Sequence, residues 1–242
     1  MKLLFIRHGD PDYERDWLTD KGQREAELLS LRLSKMDITD FYVSTMGRAR
    51  ATSLPTLDKM KREATPCDWL REFGPAVERQ DRNMRPGVAW DWLPQDWLKD
   101  ERLLARDLWA DNEVFRAAGI KESYERVTRE FDAVLAEHGY VRNGLYYNAV
   151  SPNTDTLAFF CHFGVTCVLL SHLMNVSPMI LWHGTAMAPS SVTTVYSEER
   201  RPGIASFRAA AIGDISHLYS AGEEPSFSAR FCEVYGNGDR ID

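Results

Sequence analysis

A short apolar run near the N-terminus, Leu3-Leu4-Phe5-Ile6, stops at the tripeptide Arg7-His8-Gly9. The run predicts a buried strand whose C-terminal end delivers a cation and an imidazole into a crevice, where open α/β sheets bind their ligands. Gly9 lets the chain turn sharply and lets backbone amides approach an anion closely. The tripeptide therefore predicts an anion site that suits a phosphoryl group.

The length and composition of the chain favour an ordinary globular protein. The 242 residues suit one large domain or one domain with a sizeable insertion. Hydrophobic residues make up 44% and charged residues 27%, which is unlike a disordered chain. The net charge of -7 argues against general nucleic-acid binding, so no nucleic-acid partner is expected. A local cationic pocket remains compatible with that charge.

Neither a membrane segment nor a metal site is predicted. No apolar stretch reaches the length that spans a bilayer, and the N-terminal run is too short for a signal peptide, which predicts a cytoplasmic protein. The cysteines have no C-x-x-C spacing, so we expect reduced thiols rather than a zinc site or disulfides. They are Cys67, Cys161, Cys167 and Cys232. No cofactor is expected.

Predicted strands alternate with helices along the chain. Strands are predicted at 2–7, 41–43, 68–72, 156–161, 192–196 and 204–211, and helices at 20–35 and 165–174. Thr19 or Asp20 would cap the first helix. The alternation predicts a three-layer α/β/α sandwich around a mostly parallel mixed sheet, formed by one domain of residues 1–242.

The span from about residue 78 to residue 150 differs in character, with helix-like segments near 95–117 and 121–138. It contains Trp90, Trp92, Trp97 and Trp109. We interpret it as a helical insert over the C-terminal ends of the strands. The tryptophans favour a packing core for the insert. Two alternatives stay open: a lid in which Trp90 lines the substrate site, and the interface of a homodimer.

Reactive side chains follow several of the predicted strands. Arg7 and His8 follow the first, and Arg48, Glu72 and His162 follow later ones, so all could converge at one end of the sheet. Arginine binds phosphate bidentately and stays charged. A neutral imidazole can attack phosphorus without a metal, and a carboxylic acid with a raised pKa can protonate the leaving oxygen.

Four segments resemble, in order, the motifs of the histidine phosphatase superfamily, branch 1, which is also called phosphoglycerate-mutase-like. They are FIRHG (5–9), LTDKGQREA (18–26), VSTMGRARAT (43–52) and FCHFGV (160–165), and LRE (70–72) resembles the family's LxE. The resemblance implies that His8 is the nucleophile and that Arg7 and Arg48 hold the phosphate. It also implies that His162 completes the pocket and that Glu72, with Glu78 as the nearby alternative, donates a proton.

By the same resemblance, Gly9 and the backbone amide of Phe163 would add hydrogen bonds to the phosphate, and no metal is needed. The chain departs from the glycolytic mutases, since Glu72 is followed by Phe73-Gly74-Pro75 rather than Arg-His-Tyr-Gly. This favours a metal-independent phosphatase that acts on a small-molecule phosphate ester. A phosphoglycerate-type mutase and a non-catalytic module that binds a phospho-ligand or a protein are the alternatives.

Two further residues have two interpretations each. His183 either lines the substrate pocket or is a loop histidine bonded to the backbone. Ser190 either approaches the site or belongs to a turn before a strand. His217, near the C-terminus, is expected to have a structural role.

Overall fold

The computed structural model describes residues 1–78 and 86–226, which form a layered arrangement of strands and helices. The strands are β1 (Lys2–Arg7), β2 (Pro11–Asp12), β3 (Trp17–Leu18), β4 (Asp40–Ser44), β5 (Thr65–Cys67), β6 (Val77–Glu78), β7 (Pro86–Gly87), β8 (Tyr140–Asn143), β9 (Tyr146–Ala149), β10 (Thr156–Cys161), β11 (Val192–Arg201) and β12 (Ile204–Asp214). The helices are α1 (Asp20–Leu33), α2 (Gly47–Met60), α3 (Pro94–Trp97), α4 (Glu113–Ala117), α5 (Ile120–Glu137), α6 (Phe163–Met174), α7 (Pro178–Gly184) and α8 (Ser216–Tyr219).

Eight strands form the central sheet, in the order β5-β4-β10-β1-β11-β12-β9-β8. The α/β fold predicted from the sequence is confirmed. Parallel pairing, however, is confined to β5, β4, β10 and β1, and the other neighbouring pairs are antiparallel, so the sheet is less parallel than predicted. Two of the antiparallel pairs are the hairpins β11–β12 and β8–β9, and the other two, β1–β11 and β12–β9, join these hairpins to the sheet. The hairpin β8–β9 lies within the predicted helical insert, so this part of the insert is instead a strand pair of the central sheet.

β1 lies in the interior of the sheet, because β10 flanks it on one side and β11 on the other. Its apolar run is buried because side-chain clusters cover both faces of the sheet. Leu4 packs in a cluster with Leu29 of α1, whereas Phe5 faces the opposite layer. There its ring lies 5.9 Å from that of Phe131 in α5. The alternation of side chains along β1 therefore builds the two helical layers of the predicted sandwich.

The predicted helix near 95–117 is broken into short pieces. Within it, α3 and α4 are separated by 3₁₀ turns at Glu101–Leu104 and Trp109–Asp111. Asp100 and Asn112 accept hydrogen bonds from the amides of Arg102 and Val114, and such side-chain caps restart the chain in a new direction. The helix predicted at 121–138 is present as α5.

Trp109 is buried, and its ring lies 5.8 Å from Phe115, 5.1 Å from Tyr124 and 5.9 Å from Trp182. This environment agrees with the packing interpretation for that tryptophan.

The strand predicted at 68–72 is wrong in position, because the strand here is β5, which ends at Cys67. β5 pairs in parallel with β4, and residues Asp68–Leu70 form a 3₁₀ turn, so Glu72 lies in the loop that follows. The first helix begins as predicted, with Thr19 as its N-cap. Cys67, Cys161 and Cys167 are buried and free, and Cys232 lies outside the described residues. Among the described helices, none is both long and apolar enough to cross a membrane.

Candidate active site

Two histidines meet at the C-terminal ends of neighbouring parallel strands. His8 follows β1 and His162 follows β10, and the register pairs Arg7 with Cys161. The amide of His8 donates to the carbonyl of Cys161 over 3.0 Å. The two imidazole centroids lie 5.1 Å apart, and both side chains are buried. Parallel pairing thus brings together two residues that are far apart along the chain.

The ring of His8 has a fixed orientation. Its Nδ1 lies 2.8 Å from the carbonyl oxygen of Gly9, and because a carbonyl can only accept, Nδ1 carries the hydrogen. Nε2 is then left with a lone pair. Burial, reinforced by the positive charges of Arg7 and Arg48, lowers the pKa of His8 well below its usual value. The imidazole is therefore neutral near pH 7, as a nucleophile must be.

The backbone around His8 is held by bonds that the sequence does not indicate. The carbonyl of His8 accepts from the amide of Ser190 over 3.0 Å. The amide of Gly9 donates to Oγ1 of Thr52 over 2.9 Å, so this amide is engaged within the protein, contrary to the expectation that it binds phosphate. A Cβ at Gly9 would lie 2.8 Å from the carbonyl oxygen of Gly22, so the close approach of two chain segments requires the glycine.

Arg48 lies in the first turn of α2 and is held along one edge by Asp16. Its Nη1 donates to Oδ1 of Asp16 over 2.7 Å, and Oδ2 of Asp16 accepts from the amide of Gly47 over 2.7 Å. The ring of Tyr13 lies 5.5 Å from the guanidinium carbon. Nε of Arg48 is buried without a hydrogen-bond partner among the described residues. Asp16 therefore orients Arg48 and leaves the Nε edge for an anion.

Arg7, at the end of β1, is also buried, and its Nη1 donates to the carbonyl of Met187 over 2.5 Å. Since both arginines lower the pKa of His8 and of His162, their charges act on the same small region. Arg7 and Arg48 thus supply two buried positive charges beside the pair of histidines.

Of the two ring nitrogens of His162, one has a hydrogen-bond partner among the described residues and the other has none. Nε2 lies 2.8 Å from Oγ of Ser44, and that oxygen also accepts from the amide of Met46 over 3.3 Å. Nδ1 is buried without a partner in the described part of the chain. Burial and the neighbouring His8, Arg48 and Arg7 lower the pKa of His162 well below its usual value. In the tautomer in which Ser44 donates to Nε2, Nδ1 carries a hydrogen that can bind an anion.

Glu72 reaches the same region from the loop after β5. Its Oε1 accepts from the amides of Phe73 over 2.9 Å and of Val165 over 3.2 Å. Burial raises the pKa of Glu72, although these amides and the charges of Arg7 and Arg48 oppose the effect. A carboxyl group whose proton is retained above its usual pKa is suited to general-acid chemistry.

The side chains of Trp90 and Glu72 both lie against the N-terminal end of α6, at Gly164. The ring centroid of Trp90 is 5.3 Å from that of Phe163, the first residue of the helix, and its Nε1 donates to the carbonyl of Phe73 over 3.4 Å. Gly164 makes this arrangement possible, because a Cβ there would lie 2.5 Å from Nε1 of Trp90 and 2.7 Å from Oε1 of Glu72. The structure thus places Trp90 next to the predicted proton donor.

We expect Gly164→Ala to destabilise the fold by about 1–3 kcal/mol, because the added methyl group overpacks the contact between Trp90 and Glu72. Denaturant unfolding measures the effect. Gly184→Ala is the matched control, since a Cβ at Gly184, also in a helix, meets nothing within 4 Å. Equal unfolding free energies for the two variants would contradict the close packing described around Gly164.

His183 and Ser190 are both bonded within the protein. Nδ1 of His183 lies 2.9 Å from the carbonyl of Met179, and Nε2 accepts from the amide of Trp92 over 3.1 Å. This favours the interpretation of His183 as a histidine bonded to the backbone, although the residue lies in the last turn of α7 rather than in a loop. Oγ of Ser190 lies 3.0 Å from Nε2 of His217, which agrees with a structural role for His217. Ser190 supports His8 through its own amide, as described above.

The site contains supporting residues that the sequence interpretation missed. They are Tyr13, Asp16, Ser44, Thr52 and Met187. Ser44 and Thr52 lie inside a recognised motif, so their positions carried a signal, whereas no local pattern marks Asp16 or Met187. Within residues 1–78 and 86–226, no three His, Cys, Asp or Glu side chains are grouped so that they could hold a metal ion.

The family model of the histidine phosphatase superfamily (branch 1) matches residues 3–209. The chain therefore belongs to this superfamily, and the resemblance seen in the sequence is confirmed. No curated protein matches the chain.

Several solved structures share the fold. A phosphoserine phosphatase mutant from Entamoeba histolytica, in complex with phosphoserine, is similar with a TM-score of 0.60 and 16% identity, over 90% of this chain and 98% of that one. The protein YhfR of Bacillus stearothermophilus has a TM-score of 0.56 and 21% identity, over 90% and 98%. A mycobacterial glucosyl-3-phosphoglycerate phosphatase has a TM-score of 0.55 and 15% identity, over 87% and 97%.

Proposed function

We propose that the protein is a metal-independent phosphomonoester hydrolase that works through a phosphohistidine at His8. The observation that carries the proposal is the orientation of His8, whose Nδ1 is bonded to the carbonyl of Gly9 so that Nε2 keeps its lone pair. The charges of two buried arginines, Arg7 and Arg48, act on the same ring. Membership of a superfamily named for its phosphatases, and similar folds among proteins named as phosphatases, support the same conclusion.

In the first step, Nε2 of His8 attacks the phosphorus of the ester. The N–P bond forms as the bond between phosphorus and the alcohol oxygen breaks, and Glu72 gives its proton to that oxygen. Arg7, the Nε edge of Arg48 and Nδ1 of His162 bind the equatorial oxygens and stabilise their charge.

In the second step, a water molecule attacks the phosphohistidine. The carboxylate of Glu72 takes a proton from this water, so the residue returns to its protonated form. The N–P bond breaks, inorganic phosphate is released, and His8 is again a neutral imidazole with its lone pair on Nε2. Each cycle consumes one ester and one water.

The intermediate gives a direct test. After rapid mixing with a ³²P-labelled phosphate ester and quenching in alkali, we expect label bound to His8 that is stable in alkali and lost in acid. Mass spectrometry locates the modified residue. Turnover without any labelled enzyme would exclude the covalent route. Isomerisation of 3-phosphoglycerate, primed with bisphosphoglycerate, that is faster than phosphate release would instead identify a mutase.

A further inference from the structure

A cavity of about 490 Å³ adjoins the candidate active site. Met46 and Glu72 line it and also belong to the site, since Sδ of Met46 lies 3.6 Å from Nη2 of Arg48 and accepts from the amide of Glu72 over 3.5 Å. These two residues therefore form a shared wall between the cavity and the arginine that would hold the phosphate.

The position of Glu72 determines what the cavity could hold. If Glu72 protonates the leaving oxygen, the alcohol part of the substrate must lie against its carboxyl group, and Glu72 also lines this cavity. A volume of this size is in the range of small-molecule sites. Phe73, Val88 and Val127 give the cavity apolar walls, and Ser123 gives it a hydroxyl group. Such a lining suits a short carbon skeleton.

Two guanidinium groups line the same cavity. Arg71 and Arg126 have side chains that are 50% and 54% exposed, and they lie 3.9 Å and 3.8 Å from the same carboxylate, that of Asp68. Charge-assisted hydrogen bonds are shorter than this, and exposed ion pairs contribute little, so Asp68 does not saturate the two arginines. With Glu72 protonated, as the proposed first step requires, Asp68 is the remaining carboxylate among these lining residues, and the two guanidinium groups leave a net positive charge.

The positive charge of Arg71 also acts on the candidate phosphate site, because it contributes to the lowered pKa of His162. Its Nη1 donates to Oγ1 of Thr45 over 3.3 Å, and this hydroxyl group donates to Asp68 over 3.2 Å. Arg71 directly precedes Glu72 in the chain. Its position at the cavity is thus tied to that of the proposed proton donor.

We propose that this cavity is a leaving-group pocket, formed by Met46, Asp68, Arg71, Glu72, Ser123 and Arg126, in which Arg71 and Arg126 bind a second anionic group on the alcohol. The inference rests on the proposed function and narrows it to phosphate esters whose alcohol carries a carboxylate or a second phosphate. Arg71 and Arg126 then determine specificity and take no part in the transfer of the phosphoryl group.

Matched substrates test the pocket. 3-Phosphoglycerate and glycerol 3-phosphate share a carbon chain and differ in a carboxylate against a hydroxymethyl group, and fructose 1,6-bisphosphate offers a second phosphate. We expect wild-type kcat/KM to favour one of the two doubly anionic esters over glycerol 3-phosphate by about tenfold or more, which is the size of a hydrogen bond to a charged group. The preferred ester identifies the second anion as a carboxylate or a phosphate.

Arg71→Ala and Arg126→Ala should each lower the ratio of kcat/KM for the preferred ester to kcat/KM for glycerol 3-phosphate by about tenfold. Arg129→Ala is the matched control, because Arg129 also lies on α5, is 69% exposed and does not line the cavity. Equal losses for charged and neutral esters, losses no larger than those of the control, or no wild-type preference would overturn the leaving-group pocket.

Calorimetry separates failure of the pocket from failure of the proposed function. The same three compounds are titrated into His8→Ala protein, with and without the arginine substitutions. If wild-type protein hydrolyses none of them, the proposed function fails, but tighter binding of a doubly anionic ester that depends on Arg71 and Arg126 still supports the pocket. Indistinguishable binding of all three compounds would overturn the leaving-group pocket.

Discussion

Replacing His8 by alanine should lower kcat for phosphate esters by at least about a thousandfold, because no other group can take over a nucleophile held in this geometry. Arg7, Arg48 and His162 keep their own contacts in the variant, so inorganic phosphate should still bind. Phosphate release measures the first effect, and calorimetry with inorganic phosphate measures the second. A large loss of turnover with retained phosphate binding is the signature of a missing nucleophile.

A second histidine provides the control. His138 lies 3.0 Å from the hydroxyl of Tyr42 and 3.3 Å from Asp155, near the opposite ends of the parallel strands. His138→Gln should therefore leave kcat close to that of wild type, and thermal unfolding checks that both variants fold. Retention of full turnover in His8→Ala would remove the phosphohistidine mechanism altogether.

Replacing Glu72 by glutamine should lower kcat/KM for an alkyl phosphate by about a hundredfold to ten-thousandfold, the usual contribution of a general acid. The loss should be less than about tenfold for 4-nitrophenyl phosphate, since its leaving group departs without a proton and so bypasses general-acid catalysis. The oxygen of the glutamine can still accept from the amides of Phe73 and Val165. The contrast between the two esters therefore reports the missing proton rather than a disturbed loop.

The pH dependence gives a further reading of the same variant. Because burial raises the pKa of Glu72, the carboxyl group keeps its proton to a higher pH than an ordinary glutamate does. In wild-type protein, kcat/KM for the alkyl ester should fall as the pH rises through this pKa. In Glu72→Gln, kcat/KM should not show this fall at high pH. The pH dependence that remains should be the part due to ionisation of the substrate and of His8.

Glu78→Gln is the matched control for Glu72→Gln. Glu78 is the alternative carboxylate in the sequence, and the structure places it in β6 with an exposed side chain. We expect no loss of activity for either ester in this variant. A loss in Glu78→Gln together with normal activity in Glu72→Gln would assign the proton donor to Glu78.

The sequence was sufficient to predict the fold class and the residues proposed to carry the chemistry, but not the residues that orient them. The buried run at Leu3–Ile6 indicates a central strand because only a strand covered on both faces tolerates so continuous an apolar pattern. His8 and His162 each follow such a strand, and parallel strands bring their C-terminal ends to one edge. The family resemblance then assigns roles to Arg7, Arg48 and Glu72. These predictions depend on residue type and order, which a sequence displays directly.

Only the tertiary structure decided which polar atoms meet. The bonds from Asp16 to Arg48, from Gly9 to Thr52 and from Ser190 to His8 join residues that are distant along the chain, and no local period records such pairs. The hairpin β8–β9 likewise joins the sheet through pairing with β12, a partner far along the chain. The cavity beside Glu72 is lined by residues from segments that are distant along the chain, so its shape depends on how these segments pack. Local patterns thus determine which residues take part, whereas packing determines their orientation and the shape of the space between them.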